Sequence, residues 1–298
     1  MNILLLGKNG QLGWELQRAL APLGEVVALD QDRADFAQPE TLVPLLDQLQ
    51  PGLIVNAAAH TAVDKAESEP ELSQRINADA VAELARWAAQ HRVWLIHYST
   101  DYVFDGSAAG WYSEEDASNP LSVYGRTKLA GEQALAASGC HHLTLRTSWV
   151  YASRGKNFAR TMLQLAASRE SLSVVADQWG APTSAELLAD VTALCLYRLR
   201  QEGEGAGHLS GLYHLVAAGE TNWCDYARFV LQQAQQRGTQ LKVGPEQVKA
   251  ISTAEYPTPA QRPLNSRLAT DKLRQAFGLT LPDWRYHAAR QIDELLGS

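Results

Sequence analysis

The sequence predicts an α/β protein in which a doubly wound parallel sheet is followed by a smaller C-terminal lobe. Two observations predict this fold. Short apolar segments of strand length alternate with helical patterns over residues 1–150, and a glycine-rich turn joins the first predicted strand to the first predicted helix. Such alternation implies parallel strands in one sheet with helices on both of its faces.

The first half of the chain contains nine predicted elements. Apolar runs without alternation indicate strands that are buried on both faces. The predicted strands are Asn2–Leu6, Val26–Leu29, Leu53–Asn56, Val93–Tyr98 and Leu143–Arg146. The predicted helices between them are Gln11–Leu20, Pro39–Leu49, Pro70–Gln90 and Val123–Ala137. Pro22 and Gly24 end the first of these helices.

The regular alternation ends after Thr147, where connections lengthen and proline and polar residues become common. We therefore assign residues 1–150 to the sheet domain and residues 151–298 mainly to a smaller substrate-binding lobe. Segments of about 156–200 are expected to return to the sheet domain. Helices are predicted over Phe158–Ala167, Ala185–Leu199, Asn222–Gln236, Asp271–Phe277 and Trp284–Leu296. The segment Gln201–Ser210 is predicted to be an exposed loop.

Composition excludes several classes of protein. The 298 residues carry 26 Lys and Arg against 33 Asp and Glu, so the net charge is −7, and no basic stripe suggests a nucleic-acid partner. With 46% apolar residues the chain is not a disordered one. The longest apolar run, at 193–197, is far shorter than the roughly 20 residues of a membrane span, and no signal peptide is recognisable. Three scattered cysteines fit a cytoplasmic protein.

The first turn has the pattern of a dinucleotide-binding site. Gly7, Gly10 and Gly13 recur at intervals of three. In this motif the first glycine allows a tight turn, the second lets the backbone approach a pyrophosphate, and the third lets the helix pack closely on the sheet. Gln11 and Leu12 begin the helix, whose free N–H groups attract an anion. Because the triplet lies between a strand and a helix, we expect residues 1–150 to form a Rossmann-like, dinucleotide-binding domain.

Other residues are expected to contact the same cofactor. Asp30 ends the second strand, where an acid commonly binds the adenosine ribose, although it could equally be an ordinary turn residue. Arg33 follows closely and could pair with a 2′-phosphate, so NADPH and NADH both remain open. The remaining candidates lie in the next turns and are Asp35, Phe36, Ala57, Ala58, Ala59 and Thr61.

A candidate catalytic group follows the fourth strand. Tyr124 and Lys128 are four residues apart, so on a helix they share one face. A lysine ammonium beside a phenol is expected to lower the tyrosine pKa from about 10. Thr100 lies at the carboxyl end of the fourth strand, where the ligand crevice of such a sheet opens, and could bind a substrate carbonyl beside Tyr124.

The order of these motifs resembles the extended short-chain dehydrogenase/reductase family. Longer blocks resemble the dTDP-4-dehydrorhamnose reductases within it, and they cover nearly the whole chain. These blocks are residues 55–67, 99–104, 146–151, 177–183 and 256–266. Related 4,6-dehydratases have a glutamate two positions after the threonine, whereas Tyr102 stands there in this chain, which favours reduction over elimination.

The resemblance implies NAD(P)H-dependent reduction of the C4 keto group of dTDP-6-deoxy-L-lyxo-4-hexulose. Tyr124 would donate the proton, Lys128 would hold the nicotinamide ribose, and Thr100 would polarise the carbonyl. Asp101 would orient sugar hydroxyls, and Trp149 would form an apolar wall for the substrate, although it could be a core aromatic. Arg262 suits the substrate diphosphate, although it could be an ordinary surface arginine.

Three expectations stay open at this point. Glu15 and Glu186 match acids that some family members associate with magnesium, but they are equally ordinary carboxylates at helix starts. If Mg²⁺ binds, it would bridge subunits, which makes a homodimer a further expectation. The alternatives to the ketoreductase are a related nucleotide-sugar ketoreductase or epimerase with another sugar, and a non-catalytic regulatory subunit on the same fold.

Overall fold

A computed structural model describes residues 2–155 and 157–297. Its strands are β1 (Asn2–Leu6), β2 (Glu25–Leu29), β3 (Leu53–Asn56), β4 (Trp94–Thr100), β5 (His142–Thr147), β6 (Val150–Tyr151), β7 (Leu172–Val175), β8 (Trp179–Gly180), β9 (Thr183–Ser184), β10 (Gly211–His214), β11 (Thr221–Asn222) and β12 (Val248–Ile251). Its helices are α1 (Gln11–Leu20), α2 (Leu42–Leu49), α3 (Val63–Ala66), α4 (Pro70–Gln74), α5 (Ala80–His91), α6 (Val123–Ser138), α7 (Phe158–Ser168), α8 (Ala185–Glu202), α9 (Trp223–Gln236), α10 (Asp271–Phe277) and α11 (Trp284–Leu296).

Six strands form one parallel sheet in the order β10-β5-β4-β3-β1-β2. The chain runs from β1 outward to β2 and then returns to the other side of β1, where it adds β3, β4 and β5. This reversal opens a crevice at the carboxyl ends of β1 and β3, the place where doubly wound sheets bind their ligands. The predicted Rossmann-like sheet is confirmed.

The central strand β1 is held from both faces. Ile3 and Leu5 pack in an apolar cluster with residues of α1 and α8, whereas Leu4 and Leu6 pack in a second cluster with residues of α2 and α5. All four side chains are at most 1% exposed. Because burying one such side chain contributes about 1.5–3 kcal/mol, β1 is a stable base for the turn that follows it.

Strand β10 (Gly211–His214), which completes the six-stranded main sheet, was not predicted from the sequence. It pairs in parallel with β5, with Tyr213 opposite Leu145. Four residues containing only two large apolar side chains give too short a pattern to separate a strand from a loop. The strand belongs to the main sheet although it lies beyond the segment that was expected to return to it.

One predicted loop is wrong, and one predicted helix has an unpredicted turn. The segment Gln201–Ser210 is not an exposed loop, because α8 continues to Glu202 and a 3₁₀ turn follows in which Ala206 and Leu209 are buried. The helix expected over Pro70–Gln90 is present as one continuous helical segment ending at His91, but its middle turn, Arg75–Asp79, is a π-helix between α4 and α5. In Gln201–Ser210 the two buried apolar residues are surrounded by glycines and charged residues, which are typical of loops. The extra residue of the π-helical turn at Arg75–Asp79 has no recognisable sequence pattern.

The segments beyond β5 fall into two groups. Helix α8 packs against α1 and covers one face of the main sheet, whereas α7, α9 and α11 pack together beside the small sheet of β7 and β12. Two further small sheets consist of β6 with β9 and of β8 with β11. No described helix has the length and apolar character needed to cross a membrane.

The glycine turn is closed by direct packing of backbone on backbone. Gly7 has a φ of +83°, which disfavours other residues, and it accepts a hydrogen bond from the amide of Gly10. A Cβ at Gly13 would lie 2.0 Å from the carbonyl oxygen of Gly7. The third glycine is therefore required by helix packing, as the motif predicts.

Replacing Gly13 by alanine is expected to destabilise the fold by about 1–3 kcal/mol, because α1 must move away from the turn. Urea denaturation measures this change as a lower unfolding midpoint. Gly205→Ala is the control, since a Cβ at Gly205 would contact nothing within 4 Å. Equal midpoints for the two variants would contradict the packing argument.

Candidate active site

Two adjoining cavities open at the carboxyl edge of the main sheet. We call the first the outer cavity; its lining residues are Gly7, Gly10, Asp30, Gln31, Ala34, Asp35, Phe36, Ala57, Ala58, Ala59 and Ile76. Eight of these residues were predicted as cofactor contacts from the sequence. Gln31, Ala34 and Ile76 were not, because their positions in the loop after β2 and in the π-helix carry no motif.

The acidic residues of the outer cavity are tied to the backbone. Asp30 accepts hydrogen bonds from the amides of Asn9 (2.9 Å) and Gln31 (2.8 Å), so it fixes the glycine turn against the end of β2. Asp35 accepts from the amide of Ala37 (3.0 Å). Arg33 is exposed and does not line the cavity.

The start of α1 offers unoccupied N–H donors. Its first flanking residue is Gly10, which has no side chain to cap the helix, and the first turn contains no acidic residue. Free N–H groups and the positive end of the helix dipole form a site for a phosphate. The pyrophosphate of a dinucleotide would therefore lie between the two cavities.

The second cavity, which we call the inner cavity, has a volume of about 410 Å³. It shares Gly10, Ala57 and Ala59 with the outer cavity. Its predicted lining residues are Gln11, Leu12, Thr61, Thr100, Asp101, Tyr124, Lys128 and Trp149. Val63, Tyr98, Ser99, Tyr102, Thr147, Ser148 and Val150 also line it and were not predicted.

A chain of hydroxyl and carboxyl groups lies at the floor of the inner cavity. Tyr124 hydrogen-bonds with the Thr100 hydroxyl, which donates to Asp101 Oδ1 at 3.0 Å. The other carboxylate oxygen of Asp101 accepts a short hydrogen bond from Ser266. Each oxygen of Asp101 has a second lone pair, and Asp101 lines the inner cavity, so its predicted contact with sugar hydroxyls is compatible with these two bonds.

Burial governs the titration of these groups. It raises the pKa of Tyr124 to about 12, with the charge of Asp101 adding to the effect and the Thr100 hydrogen bond opposing it. Burial also raises the pKa of Asp101 to about 6, against the hydrogen bonds from Ser266 and Thr100. Tyr124 therefore carries its proton at neutral pH, which suits a proton donor.

Helix α6 is anchored at its first turn, where Tyr124 lies. Ser122 caps the helix by accepting a hydrogen bond from the amide of Gly125, and Glu67 accepts one from the amide of Val123 at 2.8 Å. A Cβ at Gly125 would lie 2.2 Å from the carbonyl oxygen of Tyr102. This close contact brings the helix against the segment that follows Thr100.

Lys128 lies behind Tyr124 and is only 2% exposed. Its Nζ donates to the carbonyl oxygen of Tyr98 at 2.6 Å and lies 3.3 Å from His97 Nε2. Burial lowers the pKa of Lys128 to about 8, and Glu132 opposes this shift. The expected lowering of the Tyr124 pKa by this lysine does not occur in this arrangement, because burial raises the pKa of Tyr124 and the amine of Lys128 faces Tyr98 and His97.

A third cavity, which we call the lobe cavity, lies beyond Tyr102. It is lined by Asp64, Tyr102, Phe158, Thr161, Met162, Leu165, Ser173, Val174, Val175, Gln178, Trp223, Tyr256, Thr258 and Arg262. Arg262 donates to Asp64 at 2.8 Å and, more weakly, to the carbonyl oxygen of Ala260. The sequence assigned a role in this cavity to Arg262 alone, because its lining residues come from distant segments without a shared period.

Trp149 lies at the border of the inner cavity. Its ring stacks on that of Trp223, with centroids 3.8 Å apart, and its edge lies against Gly180. The residue has a φ of +48°, which is strained for a tryptophan and is held by this packing. Trp149 therefore presents an apolar wall to the inner cavity, whereas Trp223 belongs to the lobe cavity.

The two acids considered for a metal lie outside these cavities. Glu15 accepts from Arg18 at 3.4 Å, and Glu186 lies 3.8 Å from Arg290. Burial raises the pKa of Glu186, and Glu15 adds to this effect. Among the described residues, no three His, Cys, Asp or Glu side chains are placed to hold a metal ion. Within one chain these residues therefore do not fit a magnesium site.

A doubly wound sheet with a glycine turn, joined to a threonine and a Tyr-x-x-x-Lys pair in one cavity, defines a reductase of the short-chain dehydrogenase/reductase class. Comparison with known proteins narrows this class. The family model described as "RmlD substrate binding domain" matches residues 1–296. The chain belongs to the dTDP-4-dehydrorhamnose reductase family, as the sequence resemblance predicted.

Curated relatives and solved structures agree with this assignment. The dTDP-4-dehydrorhamnose reductase of Shigella flexneri is 53% identical, covering 99% of this chain and 98% of the relative. That of Burkholderia thailandensis is 46% identical and covers 99% of each. The crystal structure of a Bacillus anthracis dTDP-4-dehydrorhamnose reductase in complex with NADP has a TM-score of 0.86 at 32% identity, covering 98% of this chain and 99% of that one.

Proposed function

We propose that this protein reduces the C4 keto group of dTDP-6-deoxy-L-lyxo-4-hexulose (dTDP-4-dehydrorhamnose) with NADPH or NADH, giving dTDP-L-rhamnose. The observation that carries the proposal is the contact of Tyr124 with Thr100 in the inner cavity, which shares lining residues with the outer cavity. The proposal is supported by sequence similarity over nearly the full chain to relatives that are named dTDP-4-dehydrorhamnose reductase.

The outer cavity and the start of α1 are proposed to hold the dinucleotide. Ala57, Ala58 and Ala59 leave room for it beside the backbone, and Phe36 supplies an apolar surface for adenine. The relative from Bacillus anthracis was crystallised with NADP, which supports the same class of cofactor here. When bound, the reduced nicotinamide supplies a hydride to the substrate carbonyl carbon.

Tyr124 is proposed to be the general acid. It donates its phenolic proton to the C4 oxygen as negative charge develops there, and hydride and proton together convert the ketone to the alcohol. Thr100 lies beside the phenol, and to polarise the same oxygen it would turn its single hydroxyl proton from Asp101 to the substrate. Asp101 orients the Thr100 hydroxyl, since it accepts a hydrogen bond from it. Lys128 is proposed to reach the nicotinamide ribose when the cofactor is bound.

The segments beyond Thr147, apart from α8 and β10, which belong to the main sheet and its covering helices, are proposed to form the substrate-binding lobe. The lobe cavity combines aromatic rings, which suit a nucleobase, with the guanidinium of Arg262, which suits a diphosphate. Trp149 would separate the nucleotide from the reacting sugar. Arg262 would exchange its bond with Asp64 for the substrate phosphates.

Arg262→Ala is expected to raise KM for the dTDP-sugar about 10–100-fold, because a charge-assisted hydrogen bond contributes about 1.5–3 kcal/mol. The change in kcat is expected to be smaller than the change in KM, because Arg262 is remote from the reacting atoms. Steady-state kinetics with the exposed variant Arg169→Ala as control measures both constants. An unchanged KM would remove Arg262 from the substrate site.

A related sugar is the second candidate substrate. A Streptomyces antibioticus protein called a probable dTDP-4,6-dihydroxy-2-methyloxan-3-one 4-ketoreductase is 37% identical, covering 100% of this chain and 97% of the relative. NAD(P)H oxidation with a panel of dTDP-, GDP- and UDP-linked 4-keto sugars, with product identification by NMR, separates the candidates. Turnover of the 4-keto-L-sugar below that of another panel member would overturn the leading proposal.

We also propose a cytoplasmic location and a homodimer. The three cysteines are buried, unpaired thiols, which suits a reducing compartment. Leu194 and Tyr197, one turn apart on α8, are each 52% exposed, which supports association of two copies. Analytical ultracentrifugation tests the dimer, and a single species of about 32.6 kDa would exclude it.

A further inference from the structure

Two segments of the chain line the inner cavity and carry the two halves of the proposed reaction. The segment that follows β3 contributes Ala57, Ala59 and Thr61, on the side where the cofactor is proposed to lie. Helix α6 contributes Tyr124 and Lys128. Because hydride and proton must reach the same carbonyl group, the reaction depends on how accurately these two segments are held relative to each other.

One side chain ties the first turn of α6 to the segment that follows β3. Glu67 comes directly after α3 in this segment, and its Oε1 accepts a hydrogen bond from the amide of Val123 at 2.8 Å. Val123 is the first residue of α6, and Tyr124 is the second. The bond therefore holds the chain one residue away from the proposed proton donor.

The start of α6 needs an acceptor of this kind. The first N–H groups of a helix have no partner within the helix, and a negative charge beside them is favourable. The first turn of α6 contains no acidic residue, and its cap, Ser122, accepts from the amide of Gly125. Glu67 supplies the missing carboxylate from 56 positions earlier in the chain.

A second link joins the same two segments further along α6. The side chain of Asn77, in the π-helix, accepts from the amide of His60 at 2.8 Å. Its Nδ2 donates to the carbonyl oxygen of His60 and to the hydroxyl of Thr127, each at 3.1 Å. Thr127 lies one turn beyond the start of α6. Asn77 therefore holds the body of the helix, whereas Glu67 holds the turn in which Tyr124 lies.

We propose that Glu67 is a positioning residue, which holds the amide of Val123 and so fixes Tyr124 relative to the segment that is proposed to bind the cofactor. The inference rests on the proposed role of Tyr124 as the general acid. Glu67 lines none of the three cavities, so it acts through α6 and not by contact with a ligand. Asp64, on the same short helix α3, binds Arg262, which fixes the segment on the substrate side as well.

Glu67→Ala is expected to lower kcat about 10–100-fold, because a displacement of the acid by about 1 Å is enough to cost that much. KM for NADPH and KM for the dTDP-4-keto sugar are expected to change by less than about threefold, because the residues that bind them keep their places. Initial rates over a range of both concentrations measure the three constants. An unchanged kcat would overturn the proposal, since the Asn77 link would then be sufficient.

Glu67→Gln is the conservative variant that should restore the function. Its side-chain carbonyl oxygen has the same reach as the carboxylate and can still accept from the amide of Val123. We expect kcat to stay within about threefold of the wild type, because a neutral hydrogen bond is weaker than a charged one but holds the same geometry. A loss as large as that of Glu67→Ala would overturn the proposal, since the charge and not the placement of α6 would then matter.

Asp283→Ala is the matched control, which separates positioning from stability. Asp283 caps α11 by accepting from the amide of Arg285 at 2.9 Å, and it lines none of the three cavities. Both alanine variants lose a carboxylate at the start of a helix, so both are expected to unfold at lower urea concentration. Only Glu67→Ala is expected to lose kcat when the folded proteins are compared. Equal losses of kcat in the two variants would overturn the proposal.

Hydrogen exchange at the amide of Val123, followed by NMR of the full-length protein, tests the contact without turnover. We expect slow exchange in the wild type and in Glu67→Gln, and exchange at least about tenfold faster in Glu67→Ala. Fast exchange in the wild type would overturn the proposal even if Glu67→Ala does not fold. Because this measurement needs no substrate, it can fail while the proposed reductase activity holds, and the reverse.

Discussion

Replacing Tyr124 by phenylalanine is expected to lower kcat for the dTDP-4-keto sugar by about 10²–10⁴-fold, the contribution of a positioned general acid. The ring remains in place, so its contact with Tyr102 and the shape of the inner cavity are retained. The proton would then have to come from water, which has no fixed position at the C4 oxygen. Initial rates of NADPH oxidation at saturating substrate measure the loss.

Tyr286→Phe is the control for this change, because the side chain is 60% exposed on α11 and lines none of the three cavities. Cofactor binding, followed by quenching of protein fluorescence, should be similar in both variants. A Tyr124→Phe enzyme that keeps turnover within tenfold of the wild type would exclude Tyr124 as the acid.

Thr100→Val is expected to lower kcat by about 10²–10³-fold, the usual effect of removing one donor from a site where negative charge develops. The isosteric change removes the hydroxyl that contacts Tyr124 and donates to Asp101. Loss of that donor also leaves a buried carboxylate oxygen without a partner, which costs about 1–3 kcal/mol of stability.

Thr192→Val separates catalysis from stability. Thr192 is fully buried, and its hydroxyl bonds Tyr98 and the carbonyl oxygen of Leu188, but it does not line the inner cavity. We expect both variants to unfold at lower urea concentration and only Thr100→Val to lose activity. Similar losses of activity in the two variants would assign Thr100 a structural role alone.

The outer cavity and the glycine turn could be predicted because the sequence patterns that indicate them are local. Gly7, Gly10 and Gly13 lie within one turn, and their roles follow from backbone geometry at that turn. Asp30 and the alanines after β3 follow strands whose carboxyl ends meet at one edge of a parallel sheet. Topology therefore brings these short segments together without any need to know the side-chain packing.

The substrate side could be predicted only in part because its contacts are distant in the chain. Arg262 meets Asp64 across 198 positions, and Ser266 meets Asp101 across 165. No periodicity relates such residues, and the small sheets that bring them together consist of strands of only two to four residues. The resemblance identified the segment 256–266 but could not assign its partners.

The surroundings of Lys128 could not be predicted from the sequence either. The spacing of Tyr124 and Lys128 predicts a shared helix face, and the expectation of a lowered tyrosine pKa assumes that the lysine is charged. The residues that face its amine, His97 and Tyr98, lie on β4 and look like ordinary strand residues in the sequence. Their hydrogen-bond directions follow only from three-dimensional structure.

The central claim is that the C4 carbon of the substrate carbonyl receives a hydride from the cofactor and its oxygen receives a proton from Tyr124. The most direct measurement uses NADPH carrying deuterium at nicotinamide C4, prepared separately in each of its two stereochemical forms, with the dTDP-4-keto-L-sugar as substrate. NMR of the product should place deuterium at sugar C4 with one form of the cofactor and protium with the other. Deuterium at another carbon, or its absence from C4 with both forms, would contradict the account.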